Sequence, residues 1–161
     1  MKRKVKNRRI AIYAMMLGVG YIIFGVAEFT LGIYNLFSPM GDASLVGVPA
    51  DIFGGFAALV IGATYLSAIS LLRGVRESWG FILVGMLLSA AFGVTYSLIV
   101  CADGFGTLLA SLEGEAWTWE WLTRGRAGSG LQRPEIWLFF MSLPLAYLTQ
   151  KNAKHSMCLK S

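Results

Sequence analysis

Tyr21, Glu28 and Asn35, spaced by seven residues along one long apolar run, and Asp51, just ahead of the next run, are the residues whose types could do chemistry here. An ionisable group inside a membrane-length run is costly to bury, and so raises a functional question by default. Two carboxylates flanked by a phenol and an amide have the makings of a proton or cation site. Each residue also has a plainer role. Glu28 lies about 27 Å along the helix from Ile10 at ordinary helical rise, near the outer interface, where it can bond a neighbouring helix or interfacial water. Asp51 follows Pro49-Ala50 and can cap the second helix, whose N-terminus favours an acid.

Other chemistry is poorly provided for. One histidine, His155, and two cysteines, Cys101 and Cys158, show no paired spacing that suits zinc, haem or a nucleophile. The chain carries neither a phosphate-binding loop nor a dinucleotide fingerprint. The expectation is therefore no enzyme, no metal and no cofactor. A bilayer between Cys101 and Cys158 would also forbid a disulfide joining them.

The elements that must position these residues follow from composition. Of 161 residues 56% are hydrophobic and 14% charged, where a soluble domain has about a quarter charged. The fold class expected is an all-α integral membrane protein, a single domain over residues 1–161. Its four transmembrane helices fall at about 10–34, 52–72, 79–101 and 135–150. The second and third contain no charge and are joined by the tight basic turn Arg73-Gly74-Val75-Arg76-Glu77-Ser78, which makes them an antiparallel hairpin. The fourth is short and contains Pro144, so it crosses by starting near Pro134, by continuing toward Lys154 with snorkelling lysines, or not at all. A basic N-terminus, 1–9, an outer segment, 102–134, and a tail, 151–161, complete the chain. The first run exceeds the 7–15 residues of a signal-peptide core, which favours an uncleaved helix.

Charge fixes the orientation. Lys2, Arg3, Lys4, Lys6, Arg8, Arg9, Arg73, Arg76, Lys151, Lys154 and Lys160 fall on one side with a single acid, Glu77. Arg124, Arg126 and Arg133 fall on the other with seven acids. Lys and Arg near span ends are retained in the cytoplasm, which places both termini there and the protein in the cell membrane. The net charge of +5 thus resolves into two sides of a topology and implies no nucleic acid partner.

Small residues mark the faces that should meet protein. On the first span Ala11, Gly18, Gly25 and Gly32 recur every seven residues, three positions before Ala14, Tyr21, Glu28 and Asn35. The second span offers Gly54, Ala58 and Gly62; the third offers Gly85, Ser89, Gly93, Ser97 and Cys101. In the outer segment, Thr107 to Thr123 has helical spacing of apolar residues and the cluster Trp117, Trp119 and Trp121, which predicts a short amphipathic helix anchored at the interface. A flexible link over Gly125 to Gly130 follows. The similarity of residues 20–25 to 80–85 is too slight to define a repeat.

Two functions are compatible with this pattern. The favoured one is a non-catalytic multi-pass subunit, structural or accessory, that packs against other membrane proteins or copies of itself. The alternative is a small ion- or proton-coupled transporter or channel that uses Glu28 and Asp51, with Tyr21 and Asn35 lining the route.

Overall fold

A computed structural model of the chain describes residues 2–38, 50–73, 78–123 and 130–157. The helices are α1 (Lys2–Phe37), α2 (Ile52–Leu66), the short α3 (Ile69–Leu72), α4 (Ser78–Leu112) and α5 (Pro134–Met157), with single tight turns of helix at Glu120–Leu122 and Gly130–Gln132. Among the described residues there is no strand. Three stretches are long and apolar enough to cross a membrane: Arg8–Phe37, Ile52–Leu72 and Ser78–Leu112. With 36 and 35 residues, α1 and α4 reach about 50 Å and so extend well past a hydrocarbon core of about 30 Å.

Local chemistry sets the ends. Asp51 caps α2, its side chain accepting the Gly54 amide at 2.9 Å. At the other end of α2, the Ser67 hydroxyl donates to the Ala63 carbonyl and the Ala68 amide bonds Tyr65, which tightens the helix before α3 continues it. Pro134 opens α5, at the one helical position where its missing N–H costs nothing.

The expected third span, ending at residue 101, proves too short, because nothing between Ala102 and Leu112 stops the helix. It ends where Gly114 takes up a left-handed conformation, φ 100°, with the Glu115 amide reaching back to Ala110 and the Gly114 amide to Ser111. This corrects the expected amphipathic helix over 107–123. Thr107 to Leu112 are the end of α4, and beyond Gly114 only the turn Glu120–Leu122 is helical. The basic turn at 74–77, the side chains of Lys2, Arg3, Lys4 and Lys6, the link over 125–129 and Cys158 lie outside the described residues, as does the side chain of His155; Arg8 and Arg9 are exposed.

Glycine does most of the packing between α1 and α2, which run antiparallel. A Cβ on Gly18 would meet the Gly62 carbonyl at 3.0 Å, one on Gly25 the Gly55 carbonyl at 2.9 Å, and one on Gly55 the Phe29 amide nitrogen at 2.5 Å. Gly32 abuts Ile52 in the same way. Backbones this close gain dispersion contacts that lipid-facing side chains cannot supply. The expected row on α2 shifts by one position: Gly55, Ala58 and Gly62 face α1, whereas Gly54 faces Asp51 and Tyr96.

On α4 the row at four-residue spacing holds only at its start. Gly85 packs against Thr64 and Tyr65, Ser89 is buried, and Gly93 packs on Phe139, but Ser97 is half-buried and Cys101 exposed. Four residues overshoot one helical turn by about 40°, so such a row drifts off its face. The buried face runs instead through Ile82, Gly85, Ser89, Gly93 and Val100, with Tyr96 half-buried on it. Met16, Ile23, Leu87 and Leu98 point away from the bundle.

Candidate functional site

Two polar layers cross the bundle, one near the end where α2 begins and one about two helical turns deeper. Three helices supply both at an interval of seven residues: Glu28 and Tyr21 on α1, Tyr96 and Ser89 on α4, Glu135 and Ser142 on α5. Seven residues are close to two turns, which puts each pair on one face about 10 Å apart.

The outer layer is built around Asp51 and Arg133. One Asp51 oxygen caps α2, and the other accepts Arg133 Nη2 at 2.5 Å and the Tyr96 hydroxyl at 3.2 Å. The guanidinium lies over the Tyr96 ring, 3.7 Å from its centre, a cation–π contact that holds its plane. Its Nε is 3.6 Å from Glu135 Oε1, an ion pair without a hydrogen bond. Arg133 is held there by the turn before it. Gly130 adopts φ 56°, a conformation that suits glycine, and Trp137 Nε1 donates to the Leu131 carbonyl at 3.0 Å.

Behind this clamp lie Glu28 and Glu135, 0% and 3% exposed. Their carboxyls are within hydrogen-bonding reach of each other. As carboxylates, none of their four oxygens meets a hydrogen-bond donor. Among the described residues the cluster therefore brings three acids against one permanent cation, and of the three acids Asp51, with 29% of its side chain exposed, is the one open to solvent.

Asp51 itself is dominated by its partners. Burial pushes its carboxyl upward, but the Gly54 amide, Arg133 and Tyr96 together outweigh this and hold it below the usual range. A group depressed on folding contributes stability that is fully present above its unfolded value, near 4, and is lost as pH falls through its folded value. Thermal unfolding followed by circular dichroism should show this loss in acid below about pH 4. Asp51→Asn should flatten that part of the profile.

The inner layer is uncharged. Tyr21 and Ser89 are joined at 2.6 Å, Ser89 donates to Ser142 at 3.4 Å, and Ser142 donates to the Phe139 carbonyl at 2.7 Å. Because Ser89 spends its proton on Ser142, Tyr21 must be the donor of the first bond. Tyr65 stacks on Tyr21 with ring centres 6.0 Å apart, and its buried hydroxyl has no hydrogen-bond partner. Below this layer the bundle is filled by Ala14, Leu17, Ile61, Ala68, Ile82 and Leu145.

Of the four residues singled out in the sequence, the structure places Glu28 and Asp51 in one cluster and the other two elsewhere. Tyr21 belongs to the inner layer, and Asn35 lies two turns beyond Glu28, half-buried. Arg133, Glu135 and Tyr96 were not anticipated. A signal for two of them was present in Arg133-Pro134-Glu135, where a proline at a helix start flanked by opposite charges marks an ordered junction. Trp117 and Trp119 stand apart from the site, exposed and edge to face at 5.6 Å, while Trp121 stacks on Trp119, lies on Gly104 of α4 and packs with Tyr96 against Val100 and Ile136. Among the described residues no three His, Cys, Asp or Glu side chains converge as metal ligands.

Comparison with known proteins settles kinship. A family model described as the MJ0565 integral membrane domain matches residues 4–152, a stretch that contains all the helices and both polar layers almost whole. The chain belongs to this family. It is an integral membrane protein, and the lipid bilayer is the solvent that its outward-facing leucines, isoleucines and methionines meet. A relative in Methanocaldococcus jannaschii, the uncharacterized protein MJ0565, is 26% identical over 118 residues, which are 70% of this chain and 78% of the relative. No solved structure matches.

Proposed function

We propose that this protein is a four-span protein of the cell membrane that takes up a proton or small cation from the outer side at the Glu28–Glu135 cluster and carries it as a small transporter. The observation that carries this reading is the burial of two facing acids beside a single arginine. So much unpaired acidity is expensive in a membrane interior and is kept where it binds something. The basic ends of α1 and α3 support a cytoplasmic position for both termini, with the acidic cluster on the outer side. α5 is the fourth span on this reading; its 24 residues reach about 36 Å, enough to cross. No enzymatic step is assigned to it.

The reading is tested in liposomes loaded with a pH-sensitive dye. Wild type should pass protons or a cation under an imposed gradient, and Glu28→Gln should lose at least nine-tenths of that flux. Equal flux in the two would remove Glu28 from the mechanism.

An accessory-subunit role is the second reading, and the exposed Trp117 and Trp119 at the outer end favour it as a docking or lipid-anchoring face. Its original motive has weakened, since the glycine faces of α1, α2 and α4 are filled by the chain's own helices. A strictly monomeric, stable particle in mild detergent would count against it.

A further inference from the structure

We infer that the outer site holds a proton, carried as one O–H between the facing carboxyls of Glu28 and Glu135. The inference deepens the reading of this cluster as a binding site and rests on it.

Two carboxyl groups within hydrogen-bonding reach can bond only through a proton that one of them carries. Without it, four buried oxygens are left with no donor at all, a desolvation cost of several kcal/mol for each unpaired ion. Among the described residues, the charged and titratable groups facing the pair are Arg133 beside Glu135 at the start of α5, Asp51 from the cap of α2, Tyr96 from α4, and Tyr21 one layer below Glu28 on α1. Arg133 balances one negative charge, gives Nη2 to Asp51 and makes no hydrogen bond to either glutamate, its Nε standing 3.6 Å from Glu135. One proton then leaves the cluster with two carboxylates and one cation.

A metal cation fits less well. It would have to sit beside a guanidinium whose charge is permanent, the third acid, Asp51, is already spent on Arg133 and the α2 cap, and among the described residues no three His, Cys, Asp or Glu side chains converge as a ligand set. The same pairing of two acids around one proton is used by carboxyl dyads in soluble enzymes. Binding is a simple addition: a proton from outer water, entering beside the partly exposed Asp51, forms an O–H bond on one glutamate and is accepted by an oxygen of the other. Release reverses this and leaves Arg133 as the counter-ion of the bare pair.

The test is infrared difference spectroscopy on the full chain in lipid nanodiscs at neutral pH. Wild type should show a carbonyl band of a protonated carboxyl that shifts in heavy water. The band should disappear in both Glu28→Gln and Glu135→Gln, persist in Glu120→Gln, and be unchanged by added sodium or calcium. Should one glutamine variant fail to fold by circular dichroism, Glu28→Asp replaces it and should move the band. Absence of the band in wild type, its persistence in both variants, or its loss on adding sodium or calcium would each overturn the inference. Failure of the transport reading is separable. The band without liposome flux would keep the proton and discard transport, and flux without the band would do the reverse.

Discussion

Arg133→Met should cost about 3–5 kcal/mol, the penalty for removing one partner of a buried charge network and leaving the others uncompensated. Arg133 is 4% exposed and, among the described residues, is the only cation in contact with Asp51, Glu135 and the Tyr96 ring. Methionine fills much of the same volume, so the loss reports charge and not a cavity. Thermal unfolding in detergent at neutral pH measures it. Two controls separate charge from packing. Arg133→Lys should recover little, because a lysine offers neither the planar stack on Tyr96 nor a forked donor. Arg133→Met combined with Asp51→Asn and Glu135→Gln should recover most of the loss. If the single variant is as stable as wild type, the cluster is not a network.

Gly55→Leu should be the most damaging change away from the polar layers. The first carbon of any side chain there would lie 2.5 Å from the Phe29 amide nitrogen and 2.9 Å from the Gly25 carbonyl, both backbone atoms that cannot swing away. Overpacking a good interface costs about 1–3 kcal/mol and sometimes more, and here α1 must also move off α2 along the zone that aligns Glu28 with Asp51. Gly80→Leu is the control, since nothing lies within 4 Å of a Cβ there. Protease resistance in lipid should fall sharply for the first variant and stay near wild type for the second.

Much of this arrangement was legible in the residues. The seven-residue recurrence on α1 predicted one protein-facing stripe, and Ala14, Tyr21 and Glu28 are indeed buried along it, because an interval of seven stays on a face for several turns. Asp51 was readable as a cap from its place after Pro49-Ala50. The interval of four on α4 misled for the same geometric reason, and so Tyr96 was missed while Ser97 and Cys101 were overvalued. Gly114 falls inside the helix expected over 107–123 and is instead the terminator of α4, which only its left-handed conformation reveals. Arg133 and Glu135 were counted as loop charges on the outer side. Their burial depends on how the turn at Gly130 folds against Leu122 and on where α5 meets α1, the latter a contact between residues 107 positions apart that no local pattern encodes.

On the proposed topology the helices carry the acidic layer to the outer side of the membrane while the short connection after α3 stays inside. The most direct measurement places single cysteines at Leu112 and Arg73, both exposed at opposite ends of the bundle, in a chain whose own cysteines are replaced by serine, and labels intact cells with a membrane-impermeant maleimide. Leu112→Cys should react from outside, and Arg73→Cys only after the membrane is opened. Reaction of both from one side, or of Arg73→Cys alone in intact cells, would contradict it.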